Sequence, residues 1–143
     1  MFKKEGTPKY FNSIALRGNI QNFENLDISL YLGSNFHFVI YPINQNNEFN
    51  FISIVRKKLV ESEITNRSLF KDKSFINNLM SQISSKSDLN LTELVNEVKC
   101  FPIFVSKKIK IPSNKNIFLI GDSFFSFPPS FAQGASPVSY THL

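Results

Sequence analysis

The chain is poor in the residues on which most catalytic and metal-binding signatures depend. It has one cysteine, Cys100, and two histidines, His37 and His142. A single cysteine excludes an internal disulfide framework and fits a reducing compartment, which points to the cytoplasm. Two histidines exclude a metal site rich in imidazole, and no Cys/His cluster has zinc spacing. Glycine is scarce at five residues, and none falls in a Walker-type phosphate loop or a Gly-x-Gly-x-x-Gly turn. A Ser-His-Asp triad would draw on His37, yet no serine sits in a Gly-x-Ser-x-Gly elbow. No apolar run approaches the ~20 residues of a membrane helix. The opening Met1-Phe-Lys-Lys-Glu-Gly6 does not read as a signal peptide, because no apolar stretch follows the lysines.

What is present is enough for one ordinary domain. The 143 residues are 42% apolar and 14% aromatic, a globular composition. The net charge is +5, but the lysines are scattered (Lys3-Lys4, Lys57-Lys58, Lys107-Lys108, Lys110) rather than gathered on one stripe. Nucleic acid is therefore not an expected partner. Cys100, between Val98 and Phe101, reads as a packed thiol rather than a nucleophile.

Periodicity places the elements. Residues 1–10 are a polar lead-in. Phe11–Gly18 alternates Ile14 and Leu16 against Ser13, Ala15 and Arg17, so it reads as a strand. Three more strands follow at Ile28–Leu32, Phe36–Ile43 and Phe49–Arg56, the last two spaced for a hairpin. Pro42 marks an edge or a strand end, since it cannot donate to a ladder. The period then changes. Phe75, Ile76, Leu79, Met80 and Ile83 recur at helical spacing after a capping Asp72 or Ser74. Leu91, Leu94, Val95 and Val98 suggest a second helix, with Asn90 and Glu93 as a capping box. Phe101–Lys108 reads as another strand. Ile117-Phe-Leu-Ile120 is a continuous apolar run, expected as a strand buried on both faces.

That run stops at Gly121-Asp122. A carboxylate just past a buried parallel strand is where α/β sheets meet their ligands. His37 and Tyr41 share one strand face four residues apart, ~13 Å along a strand, where they can line one pocket without touching.

The segment Gly121-Asp-Ser-Phe-Phe-Ser-Phe-Pro-Pro-Ser-Phe-Ala-Gln-Gly-Ala-Ser136 resembles the second FAD-binding motif of flavoprotein aromatic hydroxylases, the group of para-hydroxybenzoate, salicylate and ubiquinone-biosynthesis hydroxylases. Upstream, Ile14-Ala-Leu-Arg17-Gly18, Tyr31-Leu-Gly33 with His37 through Tyr41-Pro42-Ile43, and Phe49-Asn-Phe-Ile52 resemble that family's strands in the same order. The resemblance covers about residue 8 to residue 136. It implies an α/β enzyme whose part here is an α+β fragment. That fragment is an antiparallel substrate-domain sheet with two helices, leading into the last strand of an FAD-binding Rossmann-like domain. It also implies FAD-dependent, NAD(P)H-using hydroxylation of a small phenolic or quinol-precursor aromatic substrate with O2, through a flavin hydroperoxide. By position, Asp122 matches a contact to the ribityl chain of FAD and Gly121 allows close backbone approach. Pro129 lies near the flavin ring, and Gly134 and Ala135 begin a helix facing its pyrimidine edge. His37 and Tyr41 match a substrate-facing pair that binds or deprotonates a phenolic hydroxyl, and Arg17 is a further substrate or flavin contact.

The departures are specific. Ser123, Phe124 and Phe125 stand where the family has Ala, Ala and His, and the Gly-x-Gly-x-x-Gly unit for the ADP half of FAD is absent. The expected organisation is a lead-in over 1–10, the substrate-binding sheet and helices over 11–108, the C-terminal part of the FAD-binding domain over 109–136, and a tail over 137–143 foreign to the family. The isolated chain is expected to be inactive, with half of the cofactor site. The alternative is a small basic binding or scaffold domain without redox activity.

Overall fold

The computed structural model of the chain describes residues 8–24, 27–43, 47–107 and 116–129. Five strands form one antiparallel sheet: β1 (Lys9–Gln21), β2 (Ser29–Leu32), β3 (Phe36–Pro42), β4 (Glu48–Arg56) and β5 (Asn96–Val105), in the spatial order β2-β3-β4-β1-β5. The first four occupy the expected places, and β3 and β4 form the expected hairpin with Pro42 opposite Phe49. Pro42 is tolerated because β2 reaches only to Ile40, so no second neighbour asks for its missing N–H.

The three central strands β1, β3 and β4 bury alternate residues along most of their length. Ile14, Leu16 and Ile20 of β1, Phe36, Phe38 and Ile40 of β3, and Phe49, Phe51 and Val55 of β4 form one continuous apolar face. Helix α2 (Lys73–Ser84) covers it with Ile76, Leu79, Met80 and Ile83. Each such burial is worth about 1.5–3 kcal/mol. Phe38 centres an aromatic group, stacked on Tyr31 at 4.4 Å and tilted against Phe51 at 5.6 Å. Buried Ser53 is satisfied on this face, its hydroxyl donating to the His37 carbonyl at 3.0 Å. Asp72 caps α2 as expected, accepting from the Ser74 N–H at 2.8 Å.

Four expectations are corrected. The lead-in ends earlier, because Lys9 and Tyr10 already belong to β1 and Tyr10 is buried. A short helix α1 (Glu61–Thr65) had no visible period; the Glu63 carboxylate accepts from the Val60 N–H at 2.9 Å and closes its first turn. The second helix is a single turn, α3 (Leu91–Leu94), and its Asn90 cap makes no side-chain bond to the helix backbone. Val95 and Val98 fall outside it. The chain turns extended at Val95, and β5 starts at Asn96, five residues before the expected Phe101, with Glu97 at φ +50°. Finally, Ile117–Ile120 is not a strand, and Phe118 and Ile120 are 86% and 76% exposed. A strand draws two-sided burial from neighbours, and among the described residues none pairs with this run.

The chain divides into two compact units, Asn12–Pro102 and a second made of Met1–Phe11 with Ile103–Leu143. In the second, the Ser106 N–H donates to the Ser126 carbonyl at 3.0 Å, and the Ser126 N–H donates to the Ser106 hydroxyl at 2.9 Å. This reciprocal pair fastens the chain after Asp122 to the residue that follows β5.

Candidate functional site

The sheet has a second face, opposite the core. Registers place its residues in rows: Tyr41, Asn50 and Asn19 in one, Val39, Ile52 and Arg17 in the next, and His37, Ile54 and Ala15 in a third. His37, Tyr41 and Arg17 thus share this face. His37 and Tyr41 are half-buried, and Arg17 is exposed. Arg17 stands in the middle row but two strands away from β3, ~10 Å at ordinary strand spacing.

Two of the three candidates connect through a residue the sequence did not single out. The Asn50 side-chain amide donates to the Tyr41 hydroxyl. Asn50 also lines an open depression of about 370 Å³ with Arg17, Gly18, Asn19, Glu97, Lys99 and Phe101. His37 is not among the lining residues. Gly18 lets β5 come close: a Cβ there would stand 2.4 Å from Val95 Cγ1 and 2.8 Å from the Asn96 carbonyl oxygen. Glu97, at φ +50°, follows directly. Asn50 had a visible signal, a polar residue on a strand face shared with Ile52 and Ile54. Glu97 and Lys99 had none, because the periodicity assigned their segment to a helix and its end.

The Gly121–Asp122 segment is built differently. Residues Gly121–Ser123 form a 3-10 turn, in which the Gly121 carbonyl accepts from the N–H groups of Phe124 and Phe125 at 2.9 and 3.0 Å. The Ser123 hydroxyl donates to the Ile120 carbonyl. Gly121 has φ +57°, a conformation that favours glycine, and the space a Cβ would enter holds nothing within 4 Å. Asp122 and Pro129 are exposed. Phe125 packs edge-on against Phe127 at 4.8 Å. Gly134 and Ala135 lie outside the described residues. An open glycine backbone beside an exposed carboxylate leaves a hydrogen-bond acceptor with room for a ligand to approach it.

Among the described residues, no group of three or more His, Cys, Asp or Glu side chains is placed to hold a metal ion. No helix among them is long and apolar enough to cross a membrane.

No family model matches the chain, and no curated protein matches it. Solved structures do match. HpxO from Klebsiella pneumoniae, as the R204Q protein complexed with FAD, aligns over 90% of this chain with a TM-score of 0.68 and 14% identity. HpxO complexed with FAD and uric acid aligns over 90% with a TM-score of 0.54 and 17% identity. The tetracycline destructase Tet(51) aligns over 95% with a TM-score of 0.62 and 14% identity. At such identities the likeness establishes a shared fold. The chain spans about a third of the length of these structures, at 34%, 33% and 37% respectively.

Proposed function

We propose that the chain is part of an FAD-dependent monooxygenase that hydroxylates a small phenolic or quinol-precursor ring. The observation that carries this reading is the combination of a fold shared with FAD-complexed structures and the Gly121–Asp122 turn, open at the glycine and acidic beside it. FAD, when bound, would supply the redox chemistry. The balance is one O2 and one NAD(P)H with a proton consumed per ring hydroxylated, one oxygen atom entering the ring and the other leaving as water.

The chain's own residues then have distinct tasks. Asp122 accepts hydroxyls of the ribityl chain, and Gly121, Pro129, Gly134 and Ala135 supply backbone near the flavin. Tyr41 hydrogen-bonds the substrate hydroxyl. Because its oxygen already accepts from Asn50, its own O–H is left to donate toward a ligand. His37, on the same strand face, takes the proton of a phenolic hydroxyl and so raises the electron density of the ring. Arg17 contacts a polar substituent of the substrate. The setting is cytoplasmic. Residues 11–108 serve substrate binding, and residues 109–136 serve the cofactor.

Purified chain incubated with FAD and passed through a desalting column should not retain flavin stoichiometrically, since only part of a site is present. Genomic sequence continuous with the codon for Met1 should encode, in frame, a strand followed by Gly-x-Gly-x-x-Gly. Tight one-to-one FAD retention by the isolated chain would sink the claim that it is part of a larger enzyme. An upstream region without that unit would sink the flavin reading itself.

A further inference from the structure

We infer that the outer edge of β2 is a self-association surface, at which two copies of this chain pair their β2 strands antiparallel about a two-fold axis at Leu30. The surface lies apart from the flavin segment and does not depend on the flavin reading. In the spatial order β2-β3-β4-β1-β5 the sheet ends at β2, and among the described residues no strand pairs with its outer side. The opposite edge is guarded. β5 carries Lys99 and Pro102, and Glu97 within it adopts φ +50°, all of which discourage a further strand. From Ile28 to Leu32 the β2 edge has no charged residue, proline or glycine.

The ladder with β3 fixes which groups face outward. The Gly33 N–H donates to the Phe36 carbonyl at 2.9 Å, which makes those two residues a hydrogen-bonded pair. Antiparallel pairs alternate, so Tyr31 with Phe38 and Ser29 with Ile40 are of the same kind. Leu30 opposite Val39 and Leu32 opposite His37 are of the other kind, and their N–H and C=O groups point away from β3. Ile28 follows by the period of two. The same three residues have exposed side chains, at 72% for Ile28, 61% for Leu30 and 77% for Leu32. Outward backbone groups and bare apolar side chains thus coincide on one short strip.

A two-fold axis at Leu30 pairs the whole strip. Leu30 meets its own counterpart in the second copy, and Ile28 of each copy meets Leu32 of the other. An axis at Ile28 or Leu32 would leave part of the strip uncovered. Each match exchanges two backbone hydrogen bonds and adds an apolar cross-strand contact. Asp27 falls opposite Gly33 rather than opposite a second Asp27, so no like charges face each other. The three side chains expose an apolar area on the order of 400 Å² per chain. Two copies, with the paired backbone and the half-buried Tyr31 and Val39 at the flanks, come near the ~1,200 Å² at the lower end of specific interfaces. The pairing is therefore weak, with a Kd on the order of 10–100 µM.

The test is sedimentation equilibrium of the 143-residue chain across that Kd, up to about 1 mM, with amide exchange read by nuclear magnetic resonance. The mass should rise from one chain to two and stop there. Exchange at the Leu30 and Leu32 amides should slow as concentration rises, while the Tyr31 amide, already turned to β3, should not respond. Leu30→Lys sets like charges against each other on the axis and should weaken the dimer about tenfold or more. Ile28→Lys and Leu32→Glu should each weaken it severalfold. The double variant should regain most of the affinity, because position 28 of one copy faces position 32 of the other. That recovery cannot arise within one chain, where the two positions stand ~13 Å apart along the strand. Amide dispersion checks that each variant is folded, which substitution at exposed positions should preserve.

Four results overturn the inference: a monomer throughout the range, association that continues past two chains, Leu30→Lys associating as tightly as the wild type, or no recovery in the double variant. The third would be the outcome if the exposed Phe118 and Ile120 made the contact instead. Slow exchange of the Leu30 and Leu32 amides in a monomer at every concentration would also overturn it, since another part of the chain would then occupy the edge.

Discussion

Replacing Gly18 by alanine tests the junction on which the candidate depression is built. The alanine Cβ would stand 2.4 Å from Val95 Cγ1 and 2.8 Å from the backbone oxygen of Asn96. Neither neighbour yields easily. Val95 is buried and β-branched, so its rotamer is stiff, and the oxygen of Asn96 moves only with β5 itself. Overpacking of this kind costs about 1–3 kcal/mol. Alanine also stiffens the unfolded chain, which returns about 0.4–1 kcal/mol. The net expectation is a loss of about 1–2 kcal/mol. With a urea m-value of about 1.5 kcal/mol/M, the midpoint should fall by about 1 M. Val95→Ala removes the nearer of the two atoms, so the double variant should be less destabilised than the two single changes added, by about 1 kcal/mol. Equilibrium urea unfolding of the four proteins gives both numbers. An unchanged or raised midpoint for Gly18→Ala would mean that β5 does not lie against β1 at this point, and the depression would lose its floor.

Burial pushes the Cys100 thiol up to about 12 from an ordinary 9.0. Because the folded value lies above the unfolded one, this contribution to stability is complete below about pH 9 and is lost as pH rises toward about 12. Alkaline unfolding should therefore be shallower in Cys100→Ala, and a disulfide reagent near pH 8 should modify the native thiol more slowly than the denatured one by a factor on the order of 10³. Asp72 is held below its usual carboxylate value, first by the Ser74 hydroxyl and then by the Ser74 N–H. A depressed value means stability present above the unfolded value of 3.8 and lost as pH falls through the folded one. Amide exchange in the first turn of α2 should quicken in Asp72→Ala, and the difference from wild type should vanish in acid.

The sheet was legible because its two faces differ. Strands such as Phe36–Pro42 alternate aromatic or aliphatic core residues with His37, Val39 and Tyr41, and a period of two fixes both the strand and the face of each candidate. Helix α2 was legible for the same reason at the helical period. The turn into β5 was not. Leu91, Leu94, Val95 and Val98 keep helical spacing by coincidence; the helix ends at an extended Val95, Glu97 then adopts φ +50°, and neither residue type carries a signal for that. The site suffered directly. Glu97 and Lys99 belong to the depression only because β5 starts early. The Asn50–Tyr41 bond depends on a cross-strand register that follows from the hairpin but is not written in either strand alone.

The run Ile117–Ile120 carries the strongest remaining argument about the whole molecule. Burying Phe118 and Ile120 would be worth about 1.5–3 kcal/mol each, and both stay exposed. An apolar stretch of this kind, ending in a glycine at φ +57° and an exposed aspartate, has the sequence of a strand that pairs on both sides but, among the described residues, none of the pairing. On the proposed reading one cause accounts for this and for the partial flavin site. The nucleotide-binding unit that would hold the other half of FAD is also the sheet that would flank this strand. The two deficits must then be repaired together. A longer protein that joins an upstream Gly-x-Gly-x-x-Gly unit to this chain should retain FAD and at the same time protect the amides of 117–120 from exchange. FAD retention with those amides still exchanging freely would separate the two, and would leave the Gly121–Asp122 turn as a ligand contact without the buried strand that was expected to present it.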